Sequence, residues 1–420
     1  MQGLQATLMK FVVKVRDVFT LATLFKQSPT TAMQQVTDRV REALTATLEG
    51  VMDAEIDLFL GEEDQGDNKR NGYVSRTYGI KGIGQVRLRV PRDRKGRFES
   101  NVVPAHRRYD VATERDLALL HLAGISTRML AHVSRSVLGV AVSAQEVSAS
   151  IERIVPAAKR FLERPLGDRK WIYLYVDGTN FNVRRSTVDR EPTLVVVGVD
   201  EHGRKSVLAM VQGAKDNRTA WDAVFAQLIE RGVQSEHVQL GIMDGLPGLP
   251  AAFLEAFPRA RVARCWIHKA RNVLPLVPKK YQKAFKVDWD AVAYAQDEAS
   301  ARSAFEALKS RWESNCDDAV ARLERDLEML LVHYQFPKEH WAALRTTNPI
   351  ERVNKEFKRR ARSMETVTSD GLKALLAFTA LRLEYGWISS SIAAEGFGMS
   401  GYKRLRDAHE MDVVSAQLFH

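Results

Sequence analysis

Two apolar runs in this chain close on the same dipeptide, and they limit what it can fold into. WIYLYVDGT (171–179) is apolar up to Asp177-Gly178, and HVQLGIMDG (237–245) repeats the ending at Asp244-Gly245. Short apolar runs bounded by turn residues predict strands buried on both faces, which requires helices on both sides of a sheet. An ionised carboxylate at the end of such a strand is costly unless it meets a partner or points into a site. Asp-Gly is also a common turn dipeptide, and Asp177 taken alone reads better as a turn residue. Its repetition at a second strand end favours a site.

The neighbouring segments supply the rest of a sheet. PTLVVVGVDEHGRKSVLAMVQG predicts two strands about a turn at Glu201–Gly203, a helix spans about 217–231, and RVARCWIHKARNVL predicts a strand running into a helix. This is the α/β order of a ribonuclease-H-like core. From Lys279 to Phe336 there is neither Gly nor Pro, and the richness in Ala, Leu, Glu and Arg predicts a helical insertion.

The N-terminal part differs in character. Residues 31–60 have helical periodicity, 61–72 is a polar linker, and Val86, Leu88 and Val90 alternate with Gln85, Arg87 and Arg89. That alternation predicts a strand with one basic face, ended by Pro91 and a turn over Asp93–Gly96. Three short helices follow between about 112 and 156, with Ser126 as an N-cap and Ser143/Glu146 at capping-box spacing. They suit a helix-turn-helix or any small bundle. The third carries Glu146 and Glu152 beside Arg153, which argues little for base reading.

Charge indicates a polyanion as partner. The net charge is +10, and from Lys69 to Arg108 twelve Lys and Arg face only Asp93 and Glu99. Arg87, Arg89, Arg92 and Arg94 are the candidate phosphate contacts there; Lys355, Lys358, Arg359 and Arg362 form a second cluster. Two cysteines, Cys265 and Cys316, are too few for a disulfide framework or a four-thiolate zinc site, so a reducing cytoplasm is expected. No segment approaches the roughly 18 apolar residues of a membrane helix, and the N-terminus does not read as a signal peptide.

Glu351 opens the helix in LRTTNPIERVNKEFKRRAR. With Asn348 as N-cap and Pro349 at the first position, Glu351 falls at the capping-box position, so a purely structural role is open. At 100° per residue Ile350, Val353, Phe357, Ala361 and Met364 form the buried stripe. Glu351 then shares one flank with Asn354, Lys355, Lys358 and Arg362, and Glu356 lies on the other. A carboxylate among phosphate donors suits metal-assisted phosphoryl transfer, which needs hard oxygen ligands at element ends. Glu351 is preferred to Glu356 on that ground.

YVDGT, GLPGL after Asp244, RCWIHKARN and TTNPIERVNKEFKRR resemble the Mutator-type bacterial insertion-sequence transposases, as do NGY…VPRDRKGRF and GISTRML. The resemblance covers roughly residues 35–390. It implies a DDE transposase with a ribonuclease-H-like core interrupted by an all-helical insertion, preceded by mainly helical DNA-binding regions and a basic β-hairpin. By motif the triad falls on Asp177, Asp244 and Glu351, holding Mg²⁺ (Mn²⁺ as substitute) as two ions. The reaction implied is cleavage and strand transfer at terminal inverted repeats, by a homodimer on transposon-end and target DNA. No membrane is implied; the expected setting is a nucleoid-associated bacterial cytoplasm.

The Cys-x-x-His signature matches Cys265 and His268. On the inferred helix they stand at i and i+3, with His268 either contacting the scissile phosphate or making one structural hydrogen bond. Trp221 matches a family tryptophan, though a core role suffices. Asp216-Asn217 stands where relatives have Glu-Ser, Met243 where they have Ser, and Pro247 occupies the turn after Asp244.

The expected organisation is an N-terminal helical region (1–65), a basic β segment (66–108), a helix-turn-helix-like domain (109–165), a first part of the core (166–280), the insertion (281–340), a second part of the core (341–395) and a tail (396–420). A non-catalytic DNA-binding descendant, an endonuclease without strand transfer and a polyanion-binding scaffold are the competing readings.

Overall fold

The computed structural model describes residues 15–62, 66–184, 188–213, 217–361 and 369–394. Arg362, Met364, Asp216 and the segment 396–420 lie outside them. Two compact units are present: 1–117 with 128–147, and 118–127 with 148–420.

The first unit holds helices α1 (Val15–Gln27) and α2 (Pro29–Leu60) and an antiparallel hairpin of β1 (Arg70–Ile80) and β2 (Gly84–Asp93). Val86, Leu88 and Val90 are buried with Met52 of α2, while Gln85, Arg87 and Arg89 are exposed, as the alternation predicts; past Pro91, which is buried, Arg92 is exposed. Glu49 of α2 covers the free edge of β2, accepting from the Arg89 backbone N–H at 2.8 Å and from its guanidinium at 3.0 Å. Contrary to expectation, β2 does not stop at Pro91 but runs on to Asp93. Pro91 stands beside a register shift, where a missing ladder donor is tolerated. Asp93 then accepts from Asn68 Nδ2 and the backbone N–H groups of Arg97 and Phe98, which fixes the following turn.

The three short helices expected are α3 (Val111–Leu122), α4 (Thr127–Leu138) and α5 (Ala144–Glu152), and a further helix, α6 (Val155–Leu162), follows them. The capping box at α5 is formed. Glu146 N–H donates to Ser143 Oγ at 3.2 Å, and Ser143 N–H donates to Glu146 Oε2 at 2.7 Å.

The second unit is built on a five-stranded sheet: β3 (Trp171–Arg184), β4 (Val188–Asp200), β5 (Lys205–Gln212), β6 (Leu240–Met243) and β7 (Arg261–Arg264). Its order is β5-β4-β3-β6-β7, with β4 and β5 antiparallel and β6 and β7 parallel to β3. Helices α7 (Arg218–Glu230) and α8 (Leu249–Ala256) cover one face, burying Leu174, Val176 and Met243. On the other face Tyr173, Tyr175, Ile242 and Ala263 pack against α14 (Asn348–Ala361) and α15 (Ser369–Ala394).

Between these, α9 (Trp266–Val273) leads from β7 towards α10 (Gln282–Ala293), α11 (Glu298–Arg325) and α12 (Leu327–Leu331). They form a separate helical core around Phe285, Trp289, Phe305 and Trp312. The short α13 (Trp341–Leu344) precedes α14. Among the described residues no helix is long and apolar enough to cross a membrane.

Sheet and helix layers approach closely at Gly241 of β6, where a Cβ would stand 2.5–2.9 Å from the buried Phe253 ring. Gly241→Ala is expected to cost about 1–3 kcal/mol by overpacking. Gly203→Ala, strained only by a φ of +75° in open space, is expected to cost about 1 kcal/mol. Urea unfolding of the two variants checks the difference; an unchanged midpoint for Gly241→Ala would contradict this packing.

Candidate active site

The parallel register brings the two aspartates together. Val176 of β3 pairs with Met243 of β6, and Met243 with Arg264 of β7. Asp177, Asp244 and Cys265 are therefore the next residues in one row across three strands. Adjacent strands lie roughly 4.8 Å apart, and alternation turns this row to the face that packs on α14. β3 does not end at Asp177 as expected: it continues, paired with β4, to Arg184. What ends there is the pairing with β6. Asp177 is thus not a turn residue, whereas Asp244 does form a turn, accepting the Leu246 N–H at 3.2 Å.

Asp177 is buried, and desolvation followed by the nearby Asp244 carboxylate raises its pKa to about 6, against opposing effects of His268 and Asn354. Glu351 is a further neighbour that raises it. Asp177, Asp244, His268, Asn354 and Glu351 thus share one electrostatic environment.

α14 supplies the third carboxylate. The Glu351 N–H donates to Thr347 O at 3.0 Å, so the cap is Thr347 and not Asn348. Glu351 stands one position beyond the capping-box site, which removes the capping role. Arg271 Nη1 lies 3.3 Å from Glu351 Oε1, yet without hydrogen-bond geometry, and that buried oxygen has no donor. Asn354 is buried and donates from Nδ2 to Asp177 Oδ2 at 3.1 Å. The stripe Ile350, Val353 and Phe357 is buried as predicted. Glu356, on the opposite flank, is held by Arg359 and by the fully buried Arg360 at 2.5 Å.

Cys265 is not on a helical face with His268. It is the extended N-cap of α9, and the two meet because His268 lies in the first turn. The Thr347 hydroxyl lies 3.4 Å from Cys265 Sγ and 3.3 Å from His268 Nδ1. Burial alone would raise the Cys265 thiol; the His268 ring and the Thr347 hydroxyl beside it bring it below its usual value. His268 is raised, by the Cys265 thiol first and, against burial, by Asp177 and Asp244 as well. His268 is therefore protonated more readily than a free imidazole.

The turn after Asp244 is fixed from below. Gly245 has a φ of +80°, and the Arg264 guanidinium occupies the space a Cβ would need. Arg264 is in turn bound by Asp326, at the junction of α11 and α12, which also binds the buried Lys269.

The sequence model of the Mutator family of transposases matches residues 17–388. The chain is 30% identical over 328 residues to the transposase for insertion sequence element ISRM5 of Rhizobium meliloti, covering 77% of this chain and 82% of that protein. It is 29% identical to the transposase for IS905 of Lactococcus lactis, covering 87% and 93% of the two chains. The transposase for IS256 in transposon Tn4001 of Staphylococcus aureus is 26% identical, over 77% and 83%. The chain belongs to the Mutator family of transposases.

The remaining candidates of this transposase fall as follows. Trp221 is buried and stacks on Phe225 at 5.9 Å, within the core. Asn217 caps α7, accepting the Thr219 N–H. Arg87, Arg92 and Arg94 are exposed, but Arg89 is committed to Glu49. Lys355 and Lys358 are exposed on α14, and Arg359 leans on Glu356. Asn354, Thr347 and the Arg264–Asp326–Lys269 group were not foreseen. Asn354 was readable only as a neighbour of Glu351 on the helix flank. Among the described residues no three His, Cys, Asp or Glu groups converge into a ready-made metal site.

The carboxylate pair gives stability a definite pH dependence. Asp177 releases its proton near 6 in the folded protein and near 3.8 in the unfolded chain. Between those values the folded state holds the extra proton, so stability falls as pH rises, by on the order of 2–3 kcal/mol in all. Asp177→Asn is expected to melt higher than the parent at pH 8, with the gap closing towards pH 4. Melting curves across this range check it; a constant gap would contradict it.

Proposed function

We propose that this transposase binds the terminal inverted repeats of an insertion sequence and catalyses metal-dependent strand cleavage and strand transfer on a ribonuclease-H-like core. The observation that carries the proposal is the register that sets Asp177 beside Asp244, with Glu351 arriving from α14. Three antiparallel strands followed by two parallel ones support the core assignment. The donor set fits a hard divalent cation: it is all oxygen, the buried Asp177 is disfavoured as an anion when unneutralised, and Glu351 Oε1 has no donor.

Asp177, Asp244 and Glu351 would hold Mg²⁺ or Mn²⁺, as two ions. These supply an activated nucleophilic oxygen, a stabilised leaving oxygen and charge neutralisation at phosphorus. His268, whose proton affinity is raised beside the carboxylates, is suited to contact the scissile phosphate. Thr347 holds its ring, and burial of Cys265 beneath it limits water on that side. Arg87, Arg92 and Arg94 in the first unit, and Lys355 and Lys358 in the second, offer phosphate contacts. Two DNA ends call for two such sites, hence a homodimer on DNA.

Three measurements test this. Cleavage of end DNA is expected with Mg²⁺ or Mn²⁺, binding alone with Ca²⁺, and neither cleavage nor joining in chelator; undiminished cleavage in chelator overturns the metal mechanism. Products that are cut and never joined would identify an endonuclease instead.

Glu351→Gln is expected to fold, bind end DNA and lose at least ~100-fold in cleavage rate. Glu356→Gln is expected to lose about 1–3 kcal/mol of stability through Arg360 and to keep its chemistry. The reverse pattern would mean that Glu356 is the working carboxylate.

Replacing Arg87, Arg92 and Arg94 together is expected to weaken DNA binding and to flatten its logarithmic salt dependence by about one unit per lost contact. An unchanged slope would show a merely solvated face.

A further inference from the structure

Asn354 follows Glu351 by one turn of α14 and is only 8% exposed. Its Nδ2 donates to Asp177 Oδ2. Ionised Asp177 can only accept, so this contact fixes which way the amide is turned. The Asn354 carbonyl oxygen is then left buried without a donor, as is Oε1 of Glu351. Buried oxygens without a partner are rare, and here two occur one turn apart on the same helix, beside the same carboxylate pair. Neither oxygen receives a hydrogen bond, and among the described residues the only counter-charge beside Glu351 Oε1 is the exposed Arg271 guanidinium at 3.3 Å. Asn carbonyls are ordinary ligands of hard divalent ions, and a neutral oxygen adds no repulsion where Asp177 already stands next to Asp244.

We propose that Asn354 is a member of the metal centre: its N–H orients Asp177, and its carbonyl oxygen is offered together with Glu351 Oε1 to the divalent cation. This rests on the metal-dependent reading above and assigns it a residue outside the three carboxylates. The two roles are coupled, because one planar amide sets both the donor towards Asp177 and the acceptor on its other side. Replacement by a residue of similar size without the carbonyl removes both at once.

The test uses the full chain without DNA, so that no catalytic turnover enters. Mn²⁺ is titrated against wild type, Asn354→Leu, Asn354→Ser and Asp177→Asn, with affinity read by calorimetry and by the metal-induced rise in melting temperature. Asn354→Leu and Asn354→Ser are expected to bind Mn²⁺ at least ~10-fold more weakly, with the melting shift reduced accordingly. If Asn354→Leu does not fold, Asn354→Ser decides. Wild-type affinity in a folded Asn354 variant, while Asp177→Asn has lost binding, would overturn the proposal and leave Asn354 a core hydrogen-bond donor. Wild-type affinity in Asp177→Asn as well would overturn the metal reading itself, and the proposal with it.

Discussion

Side-by-side placement of two acids on neighbouring parallel strands is the constraint around which the second unit is organised. β3 and β6 share one register up to Val176 and Met243, so the next residue on each is an aspartate. Unit charges about 5 Å apart repel by on the order of 3 kcal/mol at an effective dielectric near 20. That is a large share of the net stability of a typical domain. The sheet tolerates it because both faces are sealed by apolar layers, with Val176 and Met243 fully buried on one side and Tyr175 and Ile242 on the other.

Much of this was legible because it depends on local patterns. The apolar runs, the Ser143–Glu146 cap, the alternation in β2 and the Gly-free insertion each follow from short-range rules, and the structure bears them out. Asp177 was misread as a strand end because Asp-Gly carries a turn signal. Its strand is instead extended by pairing with β4, a partner that lies beyond the local window. Likewise Asn348 looked the better cap, but the helix begins one residue earlier, since Thr347 is held in the core between Cys265 and His268.

Other site features were legible only in part. Asn354 is polar on a flank counted as basic, and only the depth of α14 in the core turns it towards Asp177. Arg360 sits in a run of cations that reads as one DNA-facing patch, yet it is buried against Phe378 and tied to Glu356. Of the basic residues in a linear stretch, structure alone separates those that hold the fold from those left for phosphate. Arg89, committed to Glu49, makes the same point in the hairpin.

The link from Asp326 through Arg264 to Gly245 has a consequence for how an all-helical segment can live inside a sheet. The inserted helices have their own core around Trp289 and Trp312, so they need little from the strands beyond a point of attachment. The buried Lys269 and the largely buried Arg264 share one carboxylate, Asp326, supplied as the chain turns from α11 into α12. Asp326 thus keys the insertion to the sheet, beside further bonds from Trp266 to Leu330 O and from Arg345 to Ala293 O. Loss of that one acid would leave Arg264 and Lys269 without the carboxylate they share, and Arg264 stands directly against Gly245 in the turn that carries Asp244.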